Sequence, residues 1–164
     1  MIMSNINTPL HHVNLLMDYV EGKPLYESVP ALKISENRYK ILASPGFAPG
    51  VAKGDEIELS SIEKAGYRIL RRSGNLAVQL FLRRCSPEER KRIVNVVQNI
   101  GGELDGGKDG EAGHLLIFTI SVSAGFDVIE STMQRIAEHY PVDRWMYGNV
   151  YDTKDGVTPL NWWL

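Results

Sequence analysis

The sequence predicts an α+β fold, with a β-rich N-terminal part over residues 1–74, a ferredoxin-like βαββαβ part over 75–151 and a C-terminal tail over 152–164, all in one integrated unit. Three observations predict it. Short apolar runs separated by Gly, Pro and Asn fill the first half, as strands joined by turns require. Two stretches of the second half carry apolar residues at helical spacing. Further strand-like runs precede, separate and follow those two stretches, and that order buries one face of an antiparallel sheet under two helices.

The elements follow in chain order. Leu10 to Val20 is an extended apolar run, punctuated by Glu21-Gly22-Lys23-Pro24. Val29 to Ile34 and Arg38 to Leu42 flank Ser35-Glu36-Asn37, a hairpin turn in which Asn37 can take a positive φ. Ser44 to Gly50 holds two prolines and two glycines and cannot be regular structure. Gly54-Asp55 opens a strand from Glu56 to Leu59, and two more strands, Tyr67 to Arg72 and Leu76 to Arg84, lie across Ser73-Gly74-Asn75. Ser86-Pro87-Glu88-Glu89 then starts a helix. Ser86 is its N-cap, Pro87 suits the first turn and Glu89 closes a capping box. Ile93, Val97 and Ile100 form the sheet-facing stripe, and Gly101-Gly102 stops the helix. A short, weak strand is expected near Glu103 to Asp105, inside a glycine-rich acidic segment that reads as a mobile hairpin loop from Gly101 to Gly113. Leu115 to Val122 is a buried strand. Ile129, Met133 and Ile136 stripe a second helix that Pro141 terminates, and Arg144 to Tyr151 is the last strand.

Composition excludes several classes of function. In 164 residues, 43% hydrophobic and 23% charged content describes a globular chain and excludes wholesale disorder. The longest apolar runs, such as Leu115 to Ile120, are too short to span a membrane. Met1 to Ser4 carries no basic and apolar leader, so a cytoplasmic protein is expected. Cys85 is the only cysteine, which fits a reducing compartment. Charge is uneven. Lys64 to Arg92 holds nine basic against two acidic residues, while the segments on either side are acidic. A basic middle can meet a polyanion or neutralise its own flanks.

The residues point to a binding protein and not to an enzyme. Cys85 lies between Arg83-Arg84 and a helix start, a setting that lowers a thiol pKa, but no local motif supplies a base from His114 or His139. His11 and His12 are adjacent on a strand and point to opposite faces, so they do not converge on a metal. The glycine-rich segment lacks the Gly-Lys-Ser/Thr of a phosphate loop, and no cofactor is expected. Arg71, Arg72 and Arg83 form an arginine-rich rim that nucleic acid could use. Glu103, Asp105, Asp109 and Glu111 form an acidic group that suits a basic protein partner. Trp162-Trp163 is read as packing back over the sheet.

One long stretch carries a family resemblance. Asn37-Arg38-Tyr39, the run Ser44-Pro45-Gly46-Phe47-Ala48-Pro49-Gly50-Val51-Ala52-Lys53-Gly54-Asp55 and the turn Arg71-Arg72-Ser73-Gly74-Asn75 resemble a bacterial domain-of-unknown-function family, the one numbered 4265. Asn37-Arg38-Tyr39 stands where that family often has Gly-x-Tyr-Arg, and Ala77 departs from its usual small polar or basic residues. The resemblance implies a small stand-alone cytosolic protein with no known catalytic residues, some members being suited to act as immunity partners of bacterial toxins. An immunity protein that binds and neutralises a toxin is therefore the leading expectation. The alternative is a regulatory or nucleic-acid-binding domain using an arginine-rich hairpin, and a thiol enzyme centred on Cys85 is the third.

Overall fold

Two-residue turns with left-handed backbone set up the first sheet. The computed structural model describes residues 10–60 and 66–164, so Met1 to Ser4 and Lys64 lie outside the described residues. Strand β1 (Leu10–Val20) returns as β2 (Lys23–Ser35) through Glu21 and Gly22, whose φ values of 51° and 77° match the twist of a tight hairpin. Asn37, at φ 62°, turns β2 into β3 (Arg38–Ile41), as its short polar side chain permits. With β4 (Glu56–Leu59) and β5 (Tyr67–Arg71) the sheet runs β1-β2-β3-β4-β5, antiparallel throughout. Val13, Leu15, Val29, Ala31, Ile41 and Ile57 are buried on its inner face, and Ala48 and Val51 from the loop after β3 fill the same core. Strand β3 pairs with β2 only from Ala31 onward, so the turn-proximal halves of β1 and β2 overhang as a two-stranded ribbon.

The second sheet comprises β6 (Asn75–Leu82), β7 (Glu103–Gly110), β8 (Gly113–Ser121) and β9 (Val142–Tyr147) in the order β7-β8-β6-β9, again antiparallel. Helix α1 (Pro87–Gln98) and helix α2 (Phe126–His139) cover one face. The chain is thus an α+β protein with two antiparallel sheets and two helices among the described residues. The expected stripes face inward. Ile93, Val97, Ile129, Met133 and Ile136 are buried against Leu76, Val78, Leu80, Leu82, Leu116, Phe118 and Ile120, and Ile100 packs at the margin. Each such aliphatic side chain removed from water contributes about 1.5–3 kcal/mol. The capping box also forms, with the Glu89 amide donating to Ser86 Oγ and the Ser86 amide donating to Glu89 Oε1.

Four expectations are corrected. The glycine-rich segment is no mobile loop: β7 extends over eight residues, paired along β8 to the turn at Glu111-Ala112. Its glycines suit close pairing, since a Cβ on Gly107 would lie 2.7 Å from the carbonyl oxygen of Leu115. Strands β5 and β6 belong to different sheets, so Ser73-Gly74 is a crossing point between sheets. The punctuation expected at Lys23-Pro24 is absorbed into β2, where Pro24 faces Tyr19. The last strand covers Val142–Tyr147 and not Arg144 to Tyr151. Beyond it, the fully buried Asn149 continues the pairing with its side chain, Oδ1 accepting from the Ala77 amide and Nδ2 donating to the Asn75 carbonyl.

The tail packs back, as expected of the tryptophan pair. Trp162 Nε1 donates to the Asn149 carbonyl, and Trp163 meets Phe126 edge-to-face at 5.1 Å between centroids. Among the described residues no helix is long and apolar enough to cross a membrane.

Val97→Asp tests the helix–sheet core. It places an uncompensated carboxylate at a fully buried position, and the expected loss of more than about 3 kcal/mol should unfold or aggregate the chain. A native-like circular dichroism melt would show that this helix face does not lie on the sheet.

Candidate functional site

The loop from Ser44 to Asp55 joins the two sheets, and its geometry begins with a buried acid. Asp55 is wholly buried. It accepts hydrogen bonds from the Ala52 amide (3.0 Å), the Ser73 amide (2.8 Å) and Ser73 Oγ (3.0 Å). Arg72 Nη1 lies 3.7 Å away and donates to the Gly50 carbonyl at 2.6 Å. Burial holds the Asp55 carboxyl above the usual carboxylate range, and the Ser73 and Ala52 bonds offset only part of that rise. Burial likewise lowers the Arg72 guanidinium and raises the Tyr67 phenol to about 12, whose hydroxyl donates to the Pro49 carbonyl.

The other end of the loop rests on the second sheet, on the face opposite the helices. Ser44 Oγ and Thr119 Oγ1 are 2.6 Å apart, Gln79 Nε2 donates to the Pro45 carbonyl, and the Gly50 amide donates to the Gly148 carbonyl. Gly46 lies so close to the sheet that a Cβ there would sit 2.8 Å from Ile117 Cδ1. Glu27, from the overhanging ribbon, accepts from the amides of Gly46, Phe47 and Ala48 at 2.8–2.9 Å. Three converging amides around one carboxylate hold the loop to the ribbon.

The four acidic residues of the expected group do not share one free surface. Asp105 is the extra residue of a β-bulge, which turns its largely buried carboxylate onto the Ser44 amide (2.7 Å) and the Thr119 hydroxyl. Glu103 accepts from Lys53 Nζ at 2.7 Å, a bond that raises the Lys53 pKa. Asp109 bonds His114 Nδ1 at 2.7 Å, which holds its carboxyl below the usual range. Glu111 is exposed in the β7–β8 turn. Glu103 and Asp105 thus tie the two sheets together, and only Asp109 and Glu111 remain at the far end of the strand.

The arginines are similarly dispersed. Arg71 is exposed at the end of β5, and Arg72 is fixed beside Asp55 with its guanidinium 5.4 Å from the Trp162 ring centroid. Arg83 donates to the Val142 carbonyl at the opposite end of the eight-residue strand β6. Such a strand is about 25 Å long, so these residues line no common hairpin.

The thiol corner differs from expectation. Cys85, Arg90, Asp109 and His114 line one hollow, bringing a histidine and a carboxylate to the cysteine, which local motifs did not reveal. The thiol pKa is raised, first by burial and then by Glu89 and Asp109, whereas its basic neighbours suggested lowering. His11 packs edge-to-face on Tyr39. Among the described residues no three His, Cys, Asp or Glu side chains are grouped to hold a metal.

One opening lies where the loop stops covering the second sheet. It is a cleft of about 400 Å³ with Phe81 and Leu115 from the sheet, Phe47 from the loop, and Lys108 and Arg144 among its lining residues. Phe47 is 42% exposed and also borders a second hollow, shared with Met17 and Tyr26 of the ribbon. Sequence reasoning missed this cleft. Phe47, Phe81 and Arg144 lie far apart in the chain, and only the covering loop brings them together.

Comparison with known proteins connects the loop to a family. The sequence profile described as Domain of unknown function (DUF4265) matches residues 27–142. The chain belongs to the DUF4265 family. No curated protein matches it. A hypothetical protein from Neisseria gonorrhoeae has a similar fold, with a TM-score of 0.58 and 16% identity, covering 84% of this chain and 96% of its own.

The DUF4265 match contains most of the joint: Glu27, Ser44 to Asp55, Arg72-Ser73, Gln79, Asp105 and Thr119 fall within it, and Gly148 lies beyond it. Two of the motifs that carry the resemblance, Ser44 to Asp55 and Arg71 to Asn75, are therefore residues that mate two sheets, whereas Asn37-Arg38-Tyr39 belongs to the first sheet alone. Asp55→Asn replaces an acceptor with an amide that cannot accept from both Ala52 and Ser73, and leaves Arg72 without its anion. The expected cost is about 2–4 kcal/mol, read as a lowered denaturation midpoint. At Cys85, the raised pKa leaves less thiolate near neutral pH, so alkylation by iodoacetamide at pH 7 should be no faster than that of a small free thiol. A markedly faster rate would restore the thiol-enzyme reading.

Proposed function

We propose that this chain is a non-enzymatic binding protein that covers a protein partner, in the manner of an immunity protein neutralising a bacterial toxin. One observation carries the reading. Tyr26 of the ribbon, Phe47 of the loop and Phe81 of the second sheet present aromatic rings along neighbouring hollows, and the loop is pinned by Glu27 and joined to both sheets. Aromatic anchors on a rigid support lose little entropy on binding and are enriched where interfaces hold most of their energy. The raised Cys85 pKa argues against a thiol nucleophile in the hollow next to them.

Within this reading the second half follows the ferredoxin-like plan. The chain order βαββαβ, the sheet order β9-β6-β8-β7 and the helices on one face support that assignment. Separate apolar clusters support a β-rich unit up to residue 74 and an α+β unit over 75–151, with 152–164 as a tail. A single free cysteine supports action in a reducing cytoplasm. The nucleic-acid alternative has exposed arginines at both ends of β6 but no shared patch to join them.

The test is capture from the native host by cross-linking, followed by co-expression of each captured protein with this chain. One captured protein should arrest growth by itself, and the chain should relieve the arrest. Phe47→Ser together with Tyr26→Ser, both at exposed positions, should weaken relief at least about ten-fold in the expression level required. Full relief by that variant, or captured proteins that are all harmless, would remove the reading.

A further inference from the structure

A hollow at the outer edge of β9 combines aromatic walls with one carboxylate. Trp145 and Tyr147 are two residues apart on β9, and Tyr151 and Gly156 approach from the chain beyond the strand. Glu130 reaches in from α2 and accepts from the Tyr147 hydroxyl at 3.4 Å. The space is about 380 Å³, and the Trp145 and Tyr147 rings stand at 84° with centroids 5.2 Å apart. Trp145 is half-buried, while Tyr151 and Met146 are exposed. Burial and then the Glu130 carboxylate raise the Tyr147 phenol, so that negative charge acts at the wall of the hollow.

The lining carries charge of one sign. Glu130 is its only charged residue, whereas the hollows beside Phe47, Cys85 and Tyr140 each contain a Lys or an Arg. The turn that contributes Gly156 carries Asp152 and Asp155 against Lys154. Bonds from Thr158 and Val157 hold the Asp155 carboxyl down at about 2, so it stays ionised. Arg144, the basic residue of β9, lies over Phe81 on the other face of the sheet.

An aromatic face is negative and attracts a cation. An anion would meet the rings and Glu130 with the same sign. A neutral apolar group would match the rings but gain nothing from the carboxylate. A bare ammonium is strongly hydrated, and one carboxylate with one hydroxyl supplies too few acceptors to replace its water. A quaternary ammonium satisfies both parts of the wall, since its methyl groups lie against the rings while its diffuse charge faces Glu130.

We propose that this hollow binds a trimethylammonium group, carried by a free small molecule or by a methylated lysine side chain. The site goes beyond the partner-binding reading and does not depend on it. Trp145 and Tyr147 pack on the helix-covered side of the sheet, and Phe47 and Phe81 line the cleft on the opposite side.

The test titrates choline, its neutral isostere 3,3-dimethylbutan-1-ol, and ethanolamine into the isotope-labelled full chain, read by NMR. Choline should shift the Trp145 indole N–H and the amides of Met146, Tyr147 and Tyr151. It should bind about five-fold tighter than the neutral isostere, with ethanolamine weakest. Glu130→Gln and Tyr151→Leu, both at exposed positions, should each remove most of that preference while the isostere binds as before. Equal binding of choline and its isostere, tighter binding of ethanolamine, shifts confined to other residues, or no saturable shift would overturn the proposal. So would full choline preference in both variants.

A tripeptide centred on trimethyllysine then assigns the source. Tighter binding than choline places the group on a protein side chain, weaker binding leaves a free small molecule, and either result upholds the site. Choline selectivity in a chain that relieves no toxicity also upholds it and removes the toxin reading alone.

Discussion

The structure depends on one buried carboxylate. Asp55 is wholly enclosed, and an enclosed carboxylate without partners would cost several kcal/mol. Ala52 and Ser73 supply three donated hydrogen bonds, and Arg72 supplies a positive charge nearby. These partners come from two places: the end of the loop and the point where the chain leaves the first sheet for the second. Satisfying Asp55 therefore fixes both at once. The loop must run between the sheets, and β5 must end where β6 begins in a different layer.

From that joint the rest of the loop follows as a cover. Ala48 and Val51 complete the first core, while Gly46 rests on Ile117 of the second sheet. The face opposite the helices is thus shielded at Thr119 and Gln79, both buried polar residues with partners in the loop. The bulge at Asp105 serves the same contact, since an unpaired strand residue is free to turn its side chain onto Ser44. Toward Phe81 and Leu115 the cover ends at the Phe47 ring. A half-covered apolar sheet leaves a cleft at the edge of its cover, and this edge is held by Glu27 through three backbone amides.

The hydrogen-bonding role of the motif residues changes what their presence means. Pro45, Gly46, Gly50, Gly54 and Asp55 could have marked a binding loop, since loops often carry function. Here most of their polar groups point inward, to Gln79, Gly148, Ile41 and Ser73. Phe47 is the exception: its amide is bound and its ring is exposed. In the proposed partner-binding role, contact falls to the side chains the joint displays, not to the joint itself.

The local elements were legible from the amino-acid order, because their signals are local. Helical spacing of Ile93, Val97, Ile129, Met133 and Ile136, the capping box at Ser86 and Glu89, and the left-handed turn at Asn37 each depend on a few neighbouring residues. Strand β7 was legible only as a short stretch near Glu103 to Asp105 and not over its full length, because Glu103–Gly110 carries almost no apolar alternation, and its pairing comes from the backbone of β8. Which charges are free was set by long-range contacts. Glu103 and Asp105 look as exposed in sequence as Asp109 and Glu111, yet their partners, Lys53 and Ser44, lie about fifty and sixty residues away along the chain. The same holds for the cleft, whose rings and cations come from the loop, β6, β7 and β9. Contacts of that separation form only when two sheets dock, and no short-range pattern in a chain records the docking.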